Sequence, residues 1–290
     1  MRWLWLLCLF WLPLGLLAQE SPADHRACGQ DRLVFSMIPK KDIDEQLREY
    51  QPLMSLLSEG LGVPVEMVRA SSYQSVMDSL TSGAVDVAVL GPAAYIQAHQ
   101  RNPDIEAFAS LAVAAGHYTP AGSFYSSILI VDRNSPFETA EDLQGSTVAL
   151  TDPDSTSGAL IPETRFADHI GQPLRRFFAG QVYAGSHDKA MDALLASKVE
   201  AAFVSSSRVD EYVTRGTIDR DRFRVIWRSE PLHYDPFVFR AGLCQAFKSN
   251  IIRVMTTPSE QRRRFLESQQ ATEITRVKHE SYAPLESLID

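Results

Sequence analysis

Between Asp152 and Glu163 the chain reads DPDSTSGALIPE, with three hydroxyl side chains in a row, Ser155, Thr156 and Ser157, and no Lys or Arg among them. A strand is predicted over Gly145–Leu150, and Phe166, Ala167 and Ile170 share the face of a later helix. Pro162 between them has no N–H to donate, so regular helix bonding is expected to begin only around it. The amides from Ser155 to Leu160 then lack intrahelical partners, and free amides at a helix start favour an anion. The three hydroxyls can donate as well. The same residues also suit plain N-capping, which Ser, Thr and Asp perform at most helix starts. From this stretch alone both readings stand.

Other reactive patterns are weak. Ser186 and Lys189 spell S-x-x-K, but the S-D-N and K-T-G elements that accompany it in penicillin-binding enzymes are absent. No G-x-S-x-G elbow and no G-x-x-x-x-G-K-[ST] nucleotide loop occurs. Ser155, His187 and Asp235 are the residue types of a hydrolytic triad, yet three such residues are found in almost any chain of this length. The seven histidines form no H-E-x-x-H or close pair, and there is no C-x-x-C, so no metal and no cofactor is expected.

The elements that must carry these residues alternate. A strand is predicted over 33–38, a helix over 43–61 ending at Gly62, and a strand over 63–69. Tyr73, Val76, Met77 and Leu80 then follow helical spacing up to Gly83. Val85–Leu90 reads as a buried strand, and Pro92 opens the next helix. Such alternation implies an α/β architecture with largely parallel sheets. The pattern occurs twice: YQSVMDSLTSGAVDVAVLGPAAY from Tyr73 aligns without a gap to HDKAMDALLASKVEAAFVSSSRV from His187. Two similar lobes follow from the repeat, with Tyr73 and His187 at equivalent strand-to-helix junctions. Open sheets place ligands at those carboxyl ends.

Composition narrows the class. The chain opens MRWLWLLCLFWLPLGLLAQ, a secretory leader by its pattern, with cleavage expected near Ala18. No second apolar run is long enough to span a bilayer. A soluble exported protein is the expectation. The 28 Lys and Arg against 36 Asp and Glu give a net charge of −8 with no basic tract, which argues against nucleic acid. Beyond the leader only Cys28 and Cys244 remain. In an oxidising compartment they could pair; the alternative is two buried thiols.

Four stretches in order, LGPAAYIQA, DPDSTSGALIP, AGSHDKAMDAL and YDPFVFR, resemble the phosphate/phosphonate/phosphite-type periplasmic substrate-binding proteins of ABC importers. The resemblance runs from about Leu33 to the PLESL end, and the STSG motif followed by a proline is its most specific part. It implies a two-lobed periplasmic-binding-protein (Venus-flytrap, type II) fold with the ligand in the cleft. One lobe would combine residues 28–122 with 233–290, and the other would be the inserted 123–232. The chain would cross the hinge near 123–129 and near 229–235. The family's ligand contacts carry over to Tyr73 and Tyr125 as cleft aromatics, to Ser155, Thr156 and Ser157 as the oxyanion cradle, to His187 facing the ligand, and to Asp235 beside it.

Two details refine that implication. Relatives that bind aminoethylphosphonate carry a glutamate after the strand matching Val199–Val204; here the gapless match is Ser207, followed by Arg208. This favours a small oxyanion such as phosphate, phosphite or methylphosphonate over an aminoalkyl ligand. Asp235 beside an anion makes sense if the ligand keeps a proton to donate, and then sulfate should be rejected. The implied partner is an inner-membrane ABC permease, with the chain expected to be a monomer. A free-standing sensor feeding a membrane histidine kinase would look the same in sequence, and a hydrolase is a more distant alternative.

Overall fold

The structure, a computed structural model, describes residues 28–289. The predicted leader over residues 1–18 lies outside the described residues. The chain runs β1 (Leu33–Met37), α1 (Ile43–Leu61), β2 (Val65–Val68), α2 (Tyr73–Thr81), β3 (Val87–Val89), α3 (Pro92–Arg101) and β4 (Glu106–Val113). Next come β5 (Phe124–Tyr125), β6 (Ser127–Asp132), β7 (Thr147–Leu150), the helical segment α4 (156–170), α5 (Leu174–Phe177) and β8 (Gly180–Tyr183). Then follow α6 (His187–Leu195), β9 (Ala201–Ser205), α7 (Ser206–Thr214) and β10 (Phe223–Arg228). The chain closes with β11 (Leu232–His233), β12 (Pro236–Phe239), α8 (Gln245–Thr256), α9 (Glu260–Ser268) and β13 (Ala271–Arg276).

Local chemistry sets the boundaries. Asp42 caps α1 by accepting from Glu45 N–H at 3.0 Å, and Gly62 ends it at φ 67°, with its N–H on Ser58 O. All five residues of β1 are buried, as an apolar strand inside a sheet should be.

Eleven of the described strands form two large sheets. The first has six strands in the order β13-β4-β12-β3-β1-β2, and the second has five in the order β10-β6-β9-β7-β8. Both are mixed, which corrects the expectation of largely parallel sheets. Only β1 with β2 and β3, and β7 with β8 and β9, pair in parallel. The returning strands β12 and β6 each pair antiparallel with a central strand, because the chain re-crosses between lobes there. The two crossings pair as well: β5 and β11 form a two-stranded antiparallel ribbon. Each sheet is covered by its own buried apolar side chains, one core around Phe35, Phe237 and Phe265 and others around Ile130, Val204, Phe166 and Phe203. Tyr118, left in the first lobe by the sequence reading, packs into the core of the second, where its N–H donates to Asp210 Oδ1 at 2.9 Å.

Cys28 and Cys244 are joined, with Cα atoms 6.0 Å apart. The bond ties the start of the described chain to the residue that precedes α8.

Candidate functional site

The two halves of the sequence repeat fold alike. α2 and α6 are each opened by a serine, Ser72 and Ser186, whose side chain accepts from the third residue on, Ser75 N–H and Lys189 N–H. Tyr73 and His187 are the first residues of these helices, and both are buried. The following strands, β3 and β9, lead directly into α3 and α7.

The hydroxyl run behaves differently from the expectation drawn from Pro162. Helical bonding starts at Thr156, six residues earlier, with Ser155 as N-cap. Ser155 Oγ accepts from Gly158 N–H at 3.1 Å, and Ser155 O accepts from Ala159 and Leu160 N–H at 3.1 and 3.0 Å. The turns here are π-type, over Thr156–Leu160 and Pro162–Phe166. Wide turns of this kind accommodate a residue without an N–H, and they occur at functional sites. The carbonyls that an α-type or a π-type turn would offer to position 162 are used elsewhere: Gly158 O accepts from Thr151 N–H at 3.1 Å, and Ser157 O from Ser127 Oγ at 2.6 Å. Only the amides of Thr156 and Ser157 are left at the start of the helix, with no intrahelical acceptor.

All seven residues singled out from the sequence line one cavity: Tyr73, Tyr125, Ser155, Thr156, Ser157, His187 and Asp235. The cavity measures about 20 Å³ as space for the centres of water-sized groups; a single water needs about 10–15 Å³ on that measure. It therefore suits a compact group. Five helices begin at its wall. Tyr73 starts α2, Gly91 precedes α3, Ser155 precedes α4, His187 starts α6 and Ser205 precedes α7. Their positive ends converge, which favours an anion without any charged side chain in the cradle.

The lobes meet over this cavity. Thr156 Oγ1 accepts from Ala93 N–H at 2.8 Å, and Asp152 Oδ2 accepts from Tyr73 N–H at 3.3 Å. Thr156 and Ser155 thus both serve structure through a lone pair, and each keeps its own hydroxyl hydrogen to donate. Capping therefore does not use up the donors of these hydroxyls.

His187 Nδ1 accepts from Ser205 N–H at 3.2 Å, which leaves the proton on Nε2. Burial, together with the charges of Arg208 and Lys40, pushes its pKa down to about 3. The imidazole is neutral at pH 7 and offers a single N–H. Burial also raises the pKa of Tyr73, Tyr125 and Tyr234, so these phenols remain donors.

Sequence reasoning missed the two cations of the lining, Lys40 and Arg208, and also Tyr234. Lys40 Nζ lies 3.0 Å from Asp235 Oδ2. Burial opposes its charge, but Asp235, joined by Tyr234 and Tyr50, holds the ammonium well above the usual lysine range. The picture of Asp235 as an uncompensated carboxylate is corrected by this pair. Arg208 is almost wholly buried, with Nη2 at 2.6 Å from Asp188 Oδ1 and Nη1 on Glu211 Oε2. Its charge is spent on those two carboxylates. Nothing in the spacing marks Lys40, whose partner is 195 positions away; Arg208 has one partner 20 positions away and one, Glu211, only three residues on, a spacing common on exposed helix faces.

The family description "ABC transporter, phosphonate, periplasmic substrate-binding protein" matches residues 35–282. The chain belongs to this family. It is a substrate-binding protein and not an enzyme. The phosphonates-binding periplasmic protein of Escherichia coli is 28% identical over 235 residues, covering 80% of this chain and 67% of that one. The phosphate-import protein PhnD of Mycolicibacterium smegmatis is 25% identical over 230 residues, covering 77% and 71%. Among solved structures, a binding-protein component of an ABC phosphonate transporter from Pseudomonas aeruginosa superposes with a TM-score of 0.81 at 21% identity, covering 89% and 85%. The phosphonate-type binding proteins thus share with this chain the two-lobed type II fold. No helix among the described residues is long and apolar enough to cross a membrane.

Proposed function

We propose that this binding protein captures a small phosphorus oxyanion, phosphate, phosphite or a short alkylphosphonate, in the cavity between its lobes and delivers it to an inner-membrane ABC permease. The observation that carries the reading is the convergence of five helix starts and the Ser155–Ser157 hydroxyls on one compact cavity. In this reading Ser155, Thr156, Ser157, Tyr73, Tyr125 and His187 Nε2–H donate to ligand oxygens. Asp235 Oδ1 accepts from a ligand that carries a proton. The lobes, roughly 28–122 with 233–290 and 123–232, hinge about the β5–β11 ribbon, and the protein works as a monomer after its leader is removed.

Aminoalkyl ligands fit less well. The position after β9 that would meet an ammonium is Ser207, whose Oγ lies 2.8 Å from Ser205 Oγ. The next carboxylate along α7, Asp210, lies outside the lining of this cavity and accepts from Tyr118 N–H, and the one after it, Glu211, is already bound by Lys41, Arg208 and Arg215. Titration calorimetry with phosphate, phosphite, methylphosphonate and aminoethylphosphonate is the test. Binding of at least one of the first three, with aminoethylphosphonate weaker than methylphosphonate, is expected. A protein that takes up none of the four while folded would sink the reading.

A further inference from the structure

Lys40 follows the carboxyl end of β1, outside every motif of the site, yet its position is fixed. Gln46 of α1 accepts from Lys40 N–H at 3.2 Å and donates to Ile38 O at 2.8 Å. The ammonium lies 5.8 Å from the centre of the Tyr234 ring and 3.0 Å from Asp235 Oδ2. Asp235 is held in turn: its backbone O accepts from Ser110 Oγ at 3.1 Å, and Tyr234 O accepts from Tyr282 Oη–H at 2.9 Å. Lys40 and Asp235 both line the cavity, and their side chains are 13% and 11% exposed. The titratable groups around the pair are Tyr50 from α1, Tyr73 from α2, Tyr125 from β5, His187 from α6, Glu211 from α7, Tyr234, and Tyr282 beyond β13. The phenols and the imidazole are uncharged at pH 7, and Glu211 already holds Lys41 and Arg208.

An unpaired carboxylate in such a cavity could only accept. Any ligand oxygen beside it would have to bring a proton, or two like charges would face each other. A lysine ammonium has three N–H groups. One is used on Oδ2, and the other two are free to meet an unprotonated ligand oxygen.

We propose that Lys40 sets the charge state of the ligand: paired with Asp235, it lets the site accept fully deprotonated oxyanions, including dianionic phosphonate and sulfate, as well as the protonated monoanion. This rests on the oxyanion reading of the site given above.

The test is calorimetric titration of methylphosphonate below and above its second ionisation, and of sulfate, with thermal melts as a fold control. The proteins are the parent, Lys40→Met and Lys40→Met/Asp235→Asn. The parent should change affinity for methylphosphonate by less than about tenfold between the two charge states and should bind sulfate. Lys40→Met should lose the dianion and sulfate by about a hundredfold or more relative to the monoanion, since it strands a buried carboxylate. The double variant should recover most of that loss. If Lys40→Met does not fold, Asp235→Asn carries the test: freeing the ammonium should raise the preference for dianion over monoanion by about tenfold, and an unchanged or lower preference overturns the proposal. Equal loss of both charge states in Lys40→Met, or a parent that rejects dianion and sulfate, also overturns it. A parent that binds no phosphorus anion in either charge state overturns the oxyanion reading itself, and this inference with it.

Discussion

Single side chains in this cavity serve two tasks at once. Thr156 Oγ1 accepts from Ala93 N–H across the cleft and still has a hydrogen to give. Thr156→Val removes both at nearly constant volume. A hydrogen bond to a charged acceptor contributes about 1.5–3 kcal/mol, so affinity for the phosphorus anion should fall roughly ten- to hundredfold by calorimetry. Unchanged affinity would return the run to pure capping. His187 gives a signature in stability. Its folded pKa, about 3, lies below the ordinary value of 6.5. The folded state thus binds fewer protons than the unfolded chain, and stability should fall as pH drops below about 6.5 and continue falling towards the folded value. Glu211, lowered to about 2, gives up its contribution only below the ordinary glutamate value of 4.5. Between about 6.5 and 4.5 the fall comes from His187, with His233, also lowered by burial, adding to it, while Asp154 and Asp188, raised chiefly by burial, act against it. Melting temperature against pH should be flatter across that window in His187→Gln than in the parent; parallel curves would refute the assignment.

At the scale of the element, α4 depends on one close approach. A Cβ at Gly158 would sit 1.8 Å from Thr151 Oγ1 and 2.6 Å from Thr151 Cβ. Only glycine lets the π-type turn lie against the end of β7, where Gly158 O takes Thr151 N–H. Gly158→Ala should cost about 1–3 kcal/mol in denaturant unfolding, as overpacking does. Thr151→Ala should restore part of it, because it removes the nearest atoms but leaves the Cβ. Equal stability of Gly158→Ala and the parent would show that the turn relaxes without cost. The ribbon β5–β11 is the corresponding element between lobes. Its two short strands, with Tyr234 N–H on Ser123 O at 2.8 Å, hold both crossings together.

Across the whole molecule, the lobes are joined by ions as well as by the cavity wall. Lys41 bonds Glu49 of α1 at 2.5 Å and Glu211 of α7 at 3.1 Å. Arg215, at the end of α7, reaches back to Glu45 and to Glu49 at 2.6 Å. Glu211 also holds Arg208 of the cavity lining, so the latch is continuous with the site. The bonds of Lys41 to Glu211 and of Arg215 to Glu45 and Glu49 exist only when the lobes are together, and they favour the closed form. Partly exposed ion pairs contribute about 0.2–1 kcal/mol each. Arg215→Ala should therefore weaken ligand affinity by about three- to tenfold with little change in melting temperature. Small-angle scattering should show a more open ligand-free variant that becomes as compact as the parent when saturated. Identical profiles and affinities for variant and parent would remove the latch.

The α/β alternation, the doubled helix–strand unit and the hydroxyl run at a helix start were legible in the linear chain, because helical spacing, capping serines and turn residues act over a few positions. Helix α1 ends at Gly62 as expected, and Tyr73 and His187 open equivalent helices. Family likeness, not spacing, pointed to Tyr125 and Asp235. The tertiary structure alone decided the rest. Sheet direction depends on which strands return between lobes, and this made both sheets mixed. The early start of α4 depends on Ser127 and Thr151, which take up the carbonyls that Pro162 leaves free. Above all, the electrostatics of the cavity come from pairs far apart in sequence: Lys40 meets Asp235 across 195 positions, and Lys41 meets Glu211 across 170. Charge acts through space with no preferred sequence separation, so no local pattern records it, and only the closed fold shows which carboxylates are compensated.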